Sequence, residues 1–80
     1  MEGKKVLVVG AGTIGNFVAQ AAQLLGAEEV AVCDISEEKV EMARKAGIAL
    51  PIVSAGKTLR EVAAEAFGPE PADVIIDCVG

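Results

Sequence analysis

Histidine, tryptophan and tyrosine are absent from the 80-residue sequence, and cysteine and phenylalanine occur only twice each. Without histidine, and with Cys33 and Cys78 falling late in separate apolar stretches, a zinc site of ordinary ligand spacing is not expected. Phe17 and Phe67 are too few to stack the bases of a single-stranded nucleic acid. Positive charge is also scarce. Seven Lys and Arg stand against twelve Asp and Glu, for a net charge of −5, and no basic cluster exceeds the pairs Lys4-Lys5 and Arg44-Lys45. No nucleic-acid partner is therefore expected. No apolar run approaches the ~18 residues of a membrane span, and Met1-Glu2-Gly3-Lys4-Lys5 leads into a strand pattern, unlike a signal peptide. No membrane partner and a cytoplasmic location are the resulting expectations.

What is present is apolar side chain and glycine, at 52% hydrophobic residues, 24% charged residues and nine glycines. This suits a single globular domain over residues 1–80, a size that buries only about 60–65% of its unfolded surface and has a thin stability margin. Lys4 to Val9 is an unbroken Val/Leu strand suited to burial on both faces. From Thr13 to Leu25 the apolar residues Ile14, Phe17, Val18, Ala21, Ala22, Leu24 and Leu25 recur at helical spacing, with Gly26 as the residue beyond the helix. Glu29 to Cys33 returns to a strand that ends at Asp34. Ser36 can cap a second helix through about Ala46, with Glu37 and Glu38 in the first turn and Arg44 and Lys45 in the last. Ile48 to Val53 forms a third strand, placed at an edge by Pro51, which lacks the N–H that a central ladder needs. Thr58 and Glu61 make a capping box for a third helix to about Phe67, and Asp73 to Val79 is the fourth strand.

Strands and helices thus alternate as βαβαβαβ, which implies an α/β fold with a four-stranded parallel sheet and right-handed crossovers. The order 3-2-1-4 of a half Rossmann fold satisfies Pro51 at an edge and puts helices on both faces. Strands two and four then lie ~9.5 Å apart across strand one. A disulfide spans at most ~7 Å between Cα atoms, so Cys33 and Cys78 are expected to remain reduced. The first two helices cover one face, and the reversed crossover leaves the third alone on the other. A homodimer or higher oligomer through the outer edge of strand four or the half-covered face is expected.

The first strand runs directly into Gly10-Ala11-Gly12-Thr13-Ile14-Gly15, a G-x-G-x-x-G opening a helix. Gly10 permits the tight turn, Gly12 a close backbone approach to a pyrophosphate, and Gly15 the packing of helix on strand. The N–H groups of Thr13 and Ile14 face the ligand at the positive end of the helix dipole. Asp34 ends the second strand about 20 residues after the last glycine, where a carboxylate accepts from the adenosine ribose hydroxyls. Its other reading is a plain helix cap beside Ser36. A carboxylate repels a 2′-phosphate and Ile35 follows it, which favours NAD over NADP. Lys39 is either a solvated helix residue or part of this site. Asp77, the one charge inside the apolar run of the fourth strand, is read as a structural hydrogen-bonding group at the strand's end, the alternative being a buried carboxylate that marks chemistry.

The segments V-L-V-V-G-A-G-T-I-G, V-A-Q-A-A-Q-L-L-G-A, V-C-D-I-S-E-E-K, A-R-K-A-G and D-V-I-I-D-C-V-G together resemble the medium-chain, alcohol-dehydrogenase-like dehydrogenases. The resemblance covers most of the chain and departs from the family pattern around Leu50-Pro51. It implies that Gly10 to Gly15 hold the pyrophosphate and Asp34 the ribose. It also sets Ile35 against adenine, Lys39 near the ribose hydroxyls, and Cys78 and Val79 beside the adenosine. The catalytic zinc ligands of that family and the nicotinamide half of its cofactor domain have no counterpart in these residues. The expectation is therefore a binding module for the adenosine–pyrophosphate part of NAD, catalytically incomplete alone and without zinc. Two alternatives remain: the cofactor-binding piece of an active NAD-dependent alcohol or polyol dehydrogenase, and an engineered or reconstructed structural fragment with no ligand.

Overall fold

A computed structural model describes residues 2–48, 50–70 and 72–78. Its elements are β1 (Lys5–Val9), α1 (Thr13–Leu24), β2 (Glu29–Asp34), α2 (Glu37–Lys45), β3 (Leu50–Val53), α3 (Leu59–Phe67) and β4 (Val74–Asp77). The four strands form one parallel sheet in the order β3-β2-β1-β4. This is the α/β half-Rossmann arrangement expected from the alternation of strand and helix, with Pro51 on an edge strand that pairs only with β2. Because every strand runs the same way, their C-terminal ends align along one rim. Val9 stands beside Cys33 and Asp77, and Asp34 beside Val53.

Alternation along the strands divides the core into two layers. Val6, Val8, Val30 and Val32 face α1 and α2, where they meet Ala19, Ala22, Ala43 and Ile48. Leu7, Ala31, Cys33 and Ile52 face α3 and pack with Val62 and Phe67. The helix ends follow the local chemistry. Ser36 Oγ accepts from Lys39 N at 3.3 Å, and Thr58 and Glu61 form the expected capping box at 3.2 Å in both directions. At the N-terminal end of the sheet, Lys5 N donates to Asp73 Oδ2 at 2.8 Å, while its buried ammonium meets Glu70 at 2.8 Å and Glu28 at 3.3 Å. The hydrogen bond to Glu70 does most to raise the Lys5 pKa above its ordinary value, against the opposing pull of burial. This knot ties the start of β4 to β1.

The first helix departs from the apolar stripe read in its sequence. Ile14, Phe17, Leu24 and Leu25 are exposed, Phe17 to 74%, and the buried residues are Gly15, Asn16, Ala19 and Ala22. Closeness to the sheet decides this, because only small side chains fit beneath a helix that touches the β1 backbone. The helix ends at Leu24, and Leu25 is its C-cap. Strand β3 is shorter than expected, starting at Leu50, with Ile48 buried just after the turn that ends α2. Ala49 and Val79, both assigned to strands from the sequence, lie outside the described residues. Asp77 is exposed at the end of β4. Helix α3 packs on β2 and β3, so the face beside β4 stays open as a groove of about 450 Å³ between α3 and Ile75.

Gly15 carries the tightest contact. A Cβ there would lie 1.6 Å from the Gly10 carbonyl oxygen, whereas a Cβ on Gly12 would meet nothing within 4 Å. Urea unfolding of Gly15→Ala should therefore show a loss of about 3 kcal/mol or more. Gly12→Ala, at φ −73°, should stay within about 1 kcal/mol of the parent chain. Equal losses in the two variants would contradict the packing described.

Candidate nucleotide site

The site is built where β1 and β2 end. Gly10 turns the chain at φ 106°, a conformation that excludes larger residues, and its N–H donates to the Cys33 carbonyl at 2.8 Å. Ala11 is buried, and Gly12 is the N-cap of α1 without a side-chain cap. Asn16 N donates to Gly12 O at 2.9 Å and closes the first helical turn. The N–H groups of Thr13, Ile14 and Gly15 precede that bond and have no acceptor within the helix. They lie at the positive end of the dipole, and a Cβ built on the neighbouring Gly12 meets nothing within 4 Å.

Asp34 joins this loop to the next. Its Oδ2 accepts from Ala11 N at 2.9 Å and its Oδ1 from Ser36 N at 2.9 Å. Burial pushes the carboxyl pKa up, but the hydrogen bonds from Ser36 and Ala11, the nearby Lys39 charge and a hydrogen bond from Ile35 N outweigh it and hold the pKa below its ordinary value. The carboxylate is thus ionised and oriented before any ligand arrives, and each oxygen retains a lone pair. The capping side chain of α2 is that of Ser36, so Asp34 is not the plain helix cap of the alternative reading.

A cavity of about 360 Å³ opens beside the carboxylate, lined by Val9, Gly10, Cys33, Asp34, Ile35, Ser36, Lys39 and Ser54. Ile35 is 75% exposed at its mouth. The structure therefore gathers Gly10, Asp34, Ile35 and Lys39 into one place, with Ala11 to Gly15 adjoining. Cys78 stands apart. Its N–H donates to Val9 O at 2.8 Å and its side chain packs on the α1 face of the sheet, across β1 from the cavity. Val79 lies outside the described residues.

Three residues in or near the site were not assigned to it from the sequence. Ser54 follows β3 on the same rim as Gly10 and Asp34, and its N–H donates to Asp34 O at 2.8 Å. Strand order combined with the rim position was the signal that could have found it. Cys33 lines the cavity floor with its thiol pKa raised by burial, opposed by a hydrogen bond from Ser54. Asn16 is 8% exposed, and its Oδ1 has no hydrogen-bond partner among the described residues. Among those residues no three His, Cys, Asp or Glu side chains converge as metal ligands would, and no helix is long and apolar enough to cross a membrane.

Asp34→Asn replaces two acceptors by one acceptor and one donor, so one backbone N–H must face an NH₂ group. The cost should be about 1–2 kcal/mol at neutral pH. Because the folded pKa is the lower one, the parent chain holds this stabilisation above the unfolded value near pH 4 and loses it as the pH falls through the folded value. Chemical denaturation against pH should show that acid limb in the parent and a shallower one in Asp34→Asn. Parallel limbs would contradict the assignment.

Comparison with known proteins agrees with this geometry. The family described as zinc-binding dehydrogenase matches residues 13–80. An L-threonine 3-dehydrogenase from Escherichia coli O139:H28 is 40% identical over 78 residues, which are 98% of this chain and 23% of that protein. Among solved structures, a short chain alcohol dehydrogenase from Escherichia coli CFT073, complexed with NADH, is 33% identical with a TM-score of 0.82, over 100% of this chain and 23% of that one. A protein from Sinorhizobium meliloti 1021 assigned as a zinc-binding dehydrogenase, bound to NADP, is 28% identical with a TM-score of 0.83, over 99% and 24%. The chain thus spans about a quarter of the length of the relatives it matches. With most of its residues matched by the family and its fold shared with these structures, the chain belongs to the zinc-binding, medium-chain dehydrogenases, and it corresponds to part of their cofactor-binding region.

Proposed function

We propose that this chain binds the adenosine and pyrophosphate part of NAD. The observation that carries the reading is the carboxylate of Asp34, held between Ala11 N and Ser36 N directly beside an uncapped helix N-terminus. Such a pair suits a ligand with two neighbouring hydroxyls close to a diphosphate. Gly10, Ala11, Gly12, Thr13, Ile14 and Gly15 cradle the pyrophosphate, with the open space before Gly12 admitting its oxygens. Asp34 accepts from the ribose hydroxyls, Ile35 covers one side of the base, and Lys39 lies near the ribose. Cys78 and Val79 belong to this set by family resemblance alone. The cofactor supplies hydride chemistry when bound, whereas these residues bind and orient its adenosine end.

NAD is preferred to NADP because an ionised, already oriented carboxylate meets a 2′-phosphate as like charge against like. A site for half of the cofactor gives weak affinity, near the ~1 mM end of the scale. A second reading is the cofactor-binding piece of an NAD-dependent alcohol or polyol dehydrogenase. It is supported by the alignment of nearly all of this chain with less than a quarter of the threonine dehydrogenase.

Amide chemical-shift mapping tests the proposal. NAD and AMP should each shift the resonances of Gly10 to Gly15 and Asp34 at millimolar concentration, and NADP should require at least tenfold more. Gly12→Ala should keep the fold yet weaken AMP about tenfold, by filling the approach to the helix N-terminus. No shift with any of these nucleotides at several millimolar would overturn the proposal.

A further inference from the structure

Helix α1 lies on the sheet by Gly15, Asn16, Ala19 and Ala22 and turns its large apolar residues to solvent. Ile14, Phe17, Leu24 and the adjoining Leu25 are each between 63% and 88% exposed. Ile14, Phe17, Ala21 and Leu24 follow one another at intervals of three, four and three residues. That is the a/d spacing of a seam along which two helices pack, knobs of one into holes of the other. On the same heptad the buried residues take positions b, c and f. The seam therefore runs along the side of the helix opposite the sheet.

Charge points to what this seam meets. No charged residue falls between Lys5 and Glu28, so α1 carries none, in a chain of net charge −5. Helices that bind a lipid surface do so with Lys and Arg along a polar face, which α1 lacks. Two copies of an acidic chain repel least where they meet on an uncharged face. The outer edge of β4 is poorer ground. It is four residues long, with Asp73 just before it and Asp77 at its end, and two copies meeting there set carboxylates against carboxylates.

The seam is also complementary to itself when a second α1 runs antiparallel. Ile14 then falls opposite the partner's Leu24, and Phe17 opposite the partner's Ala21. The largest side chain of the seam thus enters the space left by the smallest, and does so at both ends of a contact with two-fold symmetry. In a parallel pair Phe17 would meet Phe17, and Ala21 facing Ala21 would leave a gap. Antiparallel packing also brings the positive start of each helix to the negative end of the other. Four large apolar side chains from each copy bury on the order of 1,000 Å², the lower edge of what a specific contact needs. We infer that α1 is a self-association surface, on which a second copy of this chain docks its own α1 antiparallel to form a weak homodimer. This surface is separate from the nucleotide reading and does not rest on it.

Sedimentation equilibrium of the parent chain, from micromolar to millimolar concentration, should show a monomer–dimer equilibrium with a dissociation constant of roughly 10 μM. Phe17→Ser and Leu24→Ser, at exposed positions that the fold does not need, should each weaken it at least tenfold and keep the circular dichroism of the parent. Ile75→Ser, in the groove beside β4, should leave it unchanged. Isotope-filtered NOE spectra on a mixture of labelled and unlabelled chain read the register, and cross-peaks should join Ile14 to Leu24 of the other copy. Within one helix those residues are about 15 Å apart, too far for such a signal. A parent chain that stays monomeric at about 1 mM would overturn the inference. So would a dimer that Ile75→Ser dissolves and Phe17→Ser does not, or intermolecular cross-peaks that join Phe17 to Phe17 in place of Ile14 to Leu24.

Discussion

The approach of Gly15 to the Gly10 carbonyl, closer than any side chain permits, is the constraint on which the rest of the molecule depends. It lays α1 directly on the end of β1. The helix therefore begins with its free N–H groups at the rim of the sheet and hides only small residues beneath it. That placement brings Ala11 N within reach of Asp34. The carboxylate in turn binds Ser36 N and so sets the start of α2. One steric condition at a glycine thus propagates through a single side chain to align two loops, and the shared geometry of those loops is the candidate site.

Much of this was legible in the residues, for identifiable reasons. The Val/Leu run before Gly10 is buried on both faces as parallel pairing demands, Pro51 does sit on an edge, and Ser36, Thr58 and Glu61 cap the helices their spacing suggested. These are local signals with strong stereochemistry behind them. Helix α1 shows where such signals stop. Its large apolar residues at helical spacing imply a buried stripe through Ile14, Phe17 and Leu24, yet those residues are exposed. Periodicity records which residues share a face, but the closeness of the approach decides which face goes inward. Here Gly15, Ala19 and Ala22 allow the closer packing.

The site divides in the same way. Gly10 to Gly15 and Asp34 declare themselves through a motif whose spacing reflects its geometry. Ser54 and Cys33 do not, because no local pattern marks them. They reach the cavity only through the strand order that sets β3 beside β2. Cys78 is marked by family likeness alone; its side chain packs into the layer under α1, and its N–H bonds the carbonyl of Val9, a residue of the cavity wall.

The central claim is that this chain forms the adenosine–pyrophosphate half of a cofactor site. Calorimetric titration with ADP, NAD and nicotinamide mononucleotide tests it most directly. ADP and NAD should bind with affinities within about twofold of one another, since both present the same adenosine and diphosphate, and nicotinamide mononucleotide should give no heat of binding. A nicotinamide mononucleotide affinity equal to that of ADP, or NAD binding far more tightly than ADP, would contradict the account.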